Sequence, residues 1–179
     1  MSRTIDPNSA EVARIFAGIE QSWFRLATRQ HYEIPAEQER VAEFLRTGRV
    51  DASADRFVRL IERHAAARRV LRRVLVVREP LSDYARFALA AAAACAAAGE
   101  DVRVLPVRPG AQPGDEAESD DFWLFDDAQL WSMEHDERGR LIGVSHSAEP
   151  ADLARARRVR DAVLATSVPL PDYVQADHR

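Results

Sequence analysis

VLRRVLVVREPLSDYARFALAAAAACAAAGEDVRVLPV, Val70 to Val107, is the stretch that decides the fold class of this chain. Val70 to Val77 is a β-branched, apolar run of the kind found in central strands covered on both faces. Pro80 ends the run and opens a helix that continues to about Ala98, where Gly99 supplies the C-terminal cap. Val102 to Val107 is again strand-like. Strand, helix, strand at this spacing is a βαβ unit, which requires a parallel strand pair and a right-handed crossover. The alanine face of the helix lets it lie close to the sheet. Within the first strand Arg72 and Arg73 point to opposite faces, so each needs a partner. Glu79, Asp83, Glu100 and Asp101 are the nearby carboxylates, and structural ion pairs are the preferred reading of both arginines.

Downstream, residues Arg108 to Asp120 are rich in Pro, Gly and acids and read as an exposed loop. Phe122 to Phe125, Leu130 to His135 and Leu141 to His146 follow as strands separated by turn residues, an antiparallel meander. A last helix starts near Pro150 and stops before Pro169 and Pro171. Upstream, Asn8 and Glu11 form a capping-box pattern ahead of Val12, Ile15, Phe16 and Ile19. Trp23 to Thr28 reads as a strand, leading into a turn at Gln30 and His31. Pro35 opens a helix that Gly48 closes, and another helix after Ser53 carries Phe57, Leu60, Ile61 and His64 on one stripe.

The expected architecture is α/β. A mixed sheet has a parallel βαβ core, an antiparallel C-terminal meander and helices packed on it. One domain is expected over residues 1–179. It has a helical N-terminal part over 8–67 with one short strand, a sheet core over 69–147 and a C-terminal helix over 149–167.

Composition narrows the chemistry. All 25 basic residues are arginine, so Schiff-base, phosphate-loop and general-base lysines are impossible. The net charge of −4 argues against a dedicated nucleic-acid surface. One cysteine excludes an intramolecular disulfide and any multi-cysteine zinc site. The opening residues have no apolar signal core, and the run Ala88 to Ala98 is too short to cross a bilayer. A cytoplasmic location without membrane association follows as the expectation.

Candidate sites compete with structural explanations. Asp121, Asp126 and Asp127 bracket the strand FWLF and could hold a cation, yet Asp is also favoured in turns for its bonds to backbone N–H groups. Adjacent residues of a strand face opposite sides, which speaks against Asp126 and Asp127 sharing one ion. His31, His64, His135, His146 and His178 show no ligand spacing, and Ser145 or Ser147 has no nucleophile elbow. Cys95, set among alanines, reads as a small core residue with a raised pKa. The arginines at Arg63, Arg68, Arg69, Arg72, Arg73 and Arg78, and at Arg155 to Arg160, read as solvated or ion-paired faces before they read as an anion patch. For a small-molecule pocket, the place to look is the crevice beyond the first strand's carboxyl end, where a helix N-terminus points its N–H groups. Glu79, Tyr84, Arg86, Arg103, Trp123 and Asp126 are the candidate ligand-binding residues, with a small anionic ligand in view. No catalytic residue, metal site or cofactor is expected.

WFRLATRQHYEIP (Trp23 to Pro35), EPLSDYARF (Glu79 to Phe87), AGEDVRVLP (Ala98 to Pro106) and DFWLFDD (Asp121 to Asp127) occur in this order along nearly the whole chain. Together they resemble an uncharacterised family of small bacterial, actinobacterial-type proteins. The resemblance implies an origin in GC-rich genomes and a gene often placed near helix-turn-helix regulators, and it implies no activity. The chain departs from the family pattern at Ala88, where a glutamate is usual, and in the run Ala90 to Ala98. More distantly, the order of elements is similar to the phospholipase D-like fold, whose HxK motif cannot exist without lysine. The function these observations favour is a non-enzymatic regulatory or interaction module acting with a helix-turn-helix regulator. The alternatives are a phosphate-ester or nucleotide hydrolase using Asp126, Asp127 and His135, and a nucleic-acid accessory protein using the segment Arg63 to Arg73.

Overall fold

The computed structural model describes residues 3–5, 10–52, 55–110 and 120–177. Along the chain lie β1 (Arg3–Ile5), α1 (Ala10–Gly18), β2 (Ser22–Ala27), a 3-10 turn (Pro35–Glu37), α2 (Gln38–Thr47) and α3 (Arg56–Ala66). They are followed by β3 (Val70–Arg78), α4 (Asp83–Ala97), β4 (Asp101–Val107), β5 (Phe122–Phe125), β6 (Gln129–His135) and β7 (Leu141–Ser147). The chain closes with α5 (Pro150–Thr166), β8 (Val168–Pro169) and α6 (Leu170–Asp177).

Among the described residues the strands form one mixed eight-stranded sheet in the order β1-β7-β6-β5-β2-β3-β4-β8. β3, α4 and β4 make the expected parallel βαβ unit, with Val74 opposite Arg103 and Val76 opposite Leu105. β5, β6 and β7 make the expected antiparallel meander. β2 joins the two halves: it runs parallel to β3 and antiparallel to β5. Because side chains alternate across a strand, this register sends Trp23, Arg25, Leu71, Arg73, Val104, Trp123 and Trp131 to one face and Phe24, Leu26, Val74, Val76 and Leu124 to the other. The first face is covered by α1, α3, α4 and α6, through Phe16, Ile61, Leu89 and Leu170. The second is covered by α5, through Leu153, Ala156 and Val163. Helices on both faces explain why Val74 to Val77 of β3 is an unbroken apolar run.

One boundary differs from expectation, and two elements, α6 and β1, are additional; α5 stops before Pro169 as expected. α4 starts at Asp83, with Ser82 as its cap accepting from Ala85 N–H, so Pro80 lies in the preceding loop after a cis peptide bond. The helix ends as expected, Gly99 taking φ +111° just beyond it. The chain continues past Pro169 into α6, with Pro171 in its first turn, where a missing N–H costs nothing. β1 pairs with β7 at the sheet edge, an element too short to show a period. The capping role expected of Asn8 and the loop residues 111–119 lie outside the described residues.

Arg72 and Arg73 of β3 both find carboxylates. Arg73 Nε lies 3.1 Å from Glu100 Oε2 at the carboxyl end of α4, at an angle too oblique for a directed hydrogen bond. Glu100 Oε1 also accepts from Trp23 Nε1 at 2.9 Å. Arg72, half in solvent on the other face, lies 3.9 Å from Asp101. His64 is buried against β2 and contacts the Phe16 carbonyl at 2.7 Å through Nε2. Cys95 is buried, and burial pushes its thiol up, as an apolar helix face requires.

Candidate functional site

The carboxyl end of β2 is where the parallel half of the sheet meets the antiparallel half, and the chain leaving it is held from three sides. Gln30 acts as a surrogate strand residue. Its Nε2 donates to Thr28 O at 3.1 Å and Val76 O at 2.9 Å, while its Oε1 accepts from Arg78 N at 2.6 Å. Ser82, capping α4, donates to Gln30 O at 2.9 Å. From the meander side, Glu33 N donates to Gly139 O at 3.0 Å and Arg29 Nη2 to Asp136 O at 2.8 Å. The β6–β7 turn approaches so closely that a Cβ on Gly139, whose φ is +84°, would stand 2.4 Å from His31 O.

These ties fix Tyr32. Its hydroxyl donates to Asp121 Oδ2. Asp121 also accepts from Arg25 Nη2 at 2.8 Å, Thr28 N at 2.8 Å and Thr28 Oγ1 at 2.7 Å. Burial pushes the Asp121 carboxyl up, but the Arg25 charge and the bonds from Tyr32 and Thr28 outweigh it, so the group stays below the usual carboxylate range. The ring of Tyr32 packs 5.8 Å from Tyr84 and 5.3 Å from His135, which follows a register shift at the end of β6. Tyr84, in the first turn of α4, donates to Glu37 Oε2 at 2.8 Å. Burial, reinforced by the adjoining carboxylates, raises both phenols well above their ordinary value, so both stay protonated at neutral pH. Burial lowers His135 below 6.5, which keeps its ring neutral.

Between this aromatic wall and α2 lies a cavity of about 310 Å³. His31, Tyr32 and Tyr84 form one wall, and Val41, Ala42 and Leu45 of α2, with Ile34, form the other. Gln38 and three carboxylates, Glu33, Glu37 and Asp83, complete the lining, and no arginine does. Arg86 pairs with Asp83. Glu33 and Glu37 make no ion pair among the described residues.

Of the six candidate ligand-binding residues, Tyr84 alone lines this cavity. Glu79 accepts from Tyr173 of α6 at 3.1 Å. Arg86 is exposed on α4, paired with Asp83. Arg103 donates to Ser167 Oγ at 3.0 Å and Ser167 O at 2.7 Å, holding α5 to β4. Trp123 packs among Phe16, Trp23 and Phe57 under the Arg25 guanidinium. Asp126, at φ +51°, accepts from Glu20 N at 3.0 Å, Gln21 N at 2.7 Å and Ser22 N at 2.8 Å.

Asp127, also left-handed, pairs with Arg160 of α5. Asp126 and Asp127 stand at the opposite end of β5 from Asp121, next to which His135 lies, so the three residues of the hydrolase alternative do not converge. Among the described residues no group of three or more His, Cys, Asp or Glu is gathered to hold a metal ion. No described helix is long and apolar enough to cross a membrane.

Sequence reading placed the site at the carboxyl end of β3, and the cavity lies beside it, against the N-terminus of α4. It passed over His31, Tyr32, Glu33, Ile34, Glu37 and the inner face of α2. The available signal was position: HYEIP directly follows a strand, and Pro35 begins the next helical segment. A family described as a domain of unknown function (DUF6879) matches over residues 10–175. No curated protein matches the chain.

Proposed function

The chain belongs to this family of domains of unknown function, and from the geometry of its cavity we propose that it is a non-enzymatic interaction module whose recognition site lies between α2 and the N-terminus of α4. The observation that carries this reading is the cavity itself, about 310 Å³ at the carboxyl end of the parallel strands. That is where open α/β sheets bind ligands. Its walls are preorganised, because the Tyr32 and Tyr84 hydroxyls are held by Asp121 and Glu37. Its groups suit binding better than covalent chemistry. No serine, threonine or cysteine lines it, and its two phenols are held protonated.

The partner favoured by the family resemblance is a helix-turn-helix regulator, with the module biasing that regulator by docking on it. The test is a titration of the purified regulator encoded nearby against the wild-type chain and against Ala42→Trp. Ala42 is an exposed residue on the cavity wall, so an indole there fills the space without entering the core. Saturable binding that Ala42→Trp weakens by roughly tenfold or more, the equivalent of about 1.4 kcal/mol, supports the reading. Equal binding by both chains removes the cavity from it.

A further inference from the structure

We propose that the occupant of this cavity is an arginine side chain of a partner polypeptide, flanked on that partner by apolar residues. The inference rests on the reading of the cavity as a recognition site and goes further by naming the chemistry that fills it.

Charge decides the sign. The cavity has Glu33, Glu37 and Asp83 in its lining and no arginine, in a chain that holds 25 of them. Asp83 is neutralised by Arg86, whereas Glu33 and Glu37 have no cationic partner among the described residues. An anion placed here meets two uncompensated carboxylates, so the small anionic ligand expected from the sequence fits poorly. Glu37 is also held in place by Tyr84, so its charge is presented at a fixed point.

Shape and surface select guanidinium on a polypeptide. The His31 and Tyr84 rings, 5.1 Å apart and edge to face, offer a π surface beside the carboxylates. A planar guanidinium can stack flat on such a surface while its edge bonds a carboxylate in a fork, a combination that suits it better than a point-like, strongly hydrated ammonium. A volume of about 310 Å³ is at the small end for ligand cavities and suits one long side chain. Within the cavity wall, Ile34 and Leu45 remain 40% and 48% exposed. They carry the apolar lining out to the solvent, where apolar residues flanking the arginine on a peptide would cover it and a lone small cation would leave it wet.

The probe is acetyl-Leu-Arg-Leu-amide, compared with its citrulline analogue, with acetyl-Leu-Glu-Leu-amide and with acetyl-arginine-amide. Binding is followed by amide chemical shifts of Val41, Ala42 and Tyr84 in the full chain. The expected result is saturable shifts with the arginine peptide, weakened at least about tenfold in the citrulline analogue. The Glu33→Gln and Glu37→Gln chains should show similar losses, larger at low than at high salt. Glu33→Gln leaves the Tyr84 hydrogen bond intact and so guards against a merely structural effect of Glu37→Gln.

Equal binding of the citrulline or glutamate peptide overturns the cation while leaving the site reading standing. Acetyl-arginine-amide binding as tightly as the peptide overturns the polypeptide in favour of a small cation. Self-association that Ala42→Trp abolishes assigns the cavity to a second copy and overturns the separate partner. Absence of any shift at the cavity with all four probes overturns the inference; joined to unchanged regulator binding by Ala42→Trp, it removes the site reading too.

Discussion

Arg25 and Asp121 pair at 2.8 Å across neighbouring strands, with 7% and 2% of their surfaces exposed, and the tyrosine that walls the cavity hangs from the same carboxylate. Scaffold and site therefore share one ion pair. Asp121 receives four hydrogen bonds, from Arg25, Tyr32 and twice from Thr28, which satisfies a group whose burial would otherwise be expensive.

Asp121→Ala leaves the Arg25 guanidinium buried without its partner and releases Tyr32. A loss of about 3–5 kcal/mol in unfolding free energy is expected for breaking a buried pair from one side. The double change Arg25→Met with Asp121→Leu should recover a good part of that stability, since neither residue then carries a charge. Tyr32 stays released in both, so cavity binding should stay impaired even where stability returns. Urea denaturation set beside peptide titration separates the two effects.

Asp126→Ala removes the acceptor for the amides of Glu20, Gln21 and Ser22 and places alanine at φ +51°. The expected cost is about 2–3 kcal/mol, from charge-assisted hydrogen bonds and left-handed strain together. Asp126→Asn, which tolerates that backbone and keeps one acceptor, should lose less. Burial pushes the Asp126 carboxyl up, but the three amides hold it below its ordinary 3.8. A carboxylate lowered on folding contributes stability above the unfolded value and loses it as pH falls through the folded one. The Asp126→Asn chain should therefore show a shallower decline below pH 3.8 than the wild type.

His64 predicts a second acid limb at higher pH. Burial, with Arg63 and Arg69 nearby, lowers its pKa below 6.5. The unfolded chain then binds the proton more readily than the folded one, so stability falls as pH drops below 6.5 towards the folded value. Arg69 contacts Nδ1, and Nε2 faces the Phe16 carbonyl, which assigns the neutral ring as the Nε2–H form. In His64→Gln this limb should vanish from a series of melts between pH 7.5 and 5, at a lower absolute stability.

Gly139→Ala tests how the meander positions the cavity. The new Cβ would meet the His31 carbonyl at 2.4 Å on a backbone at φ +84°, so the loop His31–Glu33 has to move. A global cost of roughly 1–3 kcal/mol is expected. Hydrogen exchange should show the Glu33 amide, bonded to Gly139 O, losing protection well beyond that of β3 amides. Uniform loss of protection along the chain would contradict a local positioning role.

Legibility followed locality. Val70–Val107 was readable because β-branched residues, a proline, an alanine helix and a glycine all agree on one answer within one window. Pro169 and Pro171 mark the end of α5 as expected, but the same prolines gave no sign of α6, because proline is tolerated in a helix's first turn and Pro171 sits in that of α6. Of the four nearby carboxylates open to Arg72 and Arg73, the structure selects Asp101 and Glu100, where the chain enters β4. Glu79 and Arg103 recommend themselves by residue type beside the βαβ unit, and Trp123 by its place on the FWLF strand. Tyr173, Ser167 and the Phe16–Phe57 cluster, all distant in sequence, engage them instead.

Periodicity, β-branching, capping and turn chemistry act between near neighbours, and from them alone came the α/β class, the parallel βαβ unit and the meander, while composition excluded lysine chemistry. The place of β2 between β3 and β5 depended on the folded chain, because strand pairing is settled by contacts about 50 and 100 residues apart that carry no local mark. The cavity followed from that placement. Once β2 ends at the meeting of the two half-sheets, Tyr32 can reach Asp121, Gly139 can press on His31, and α2 can close the opposite wall.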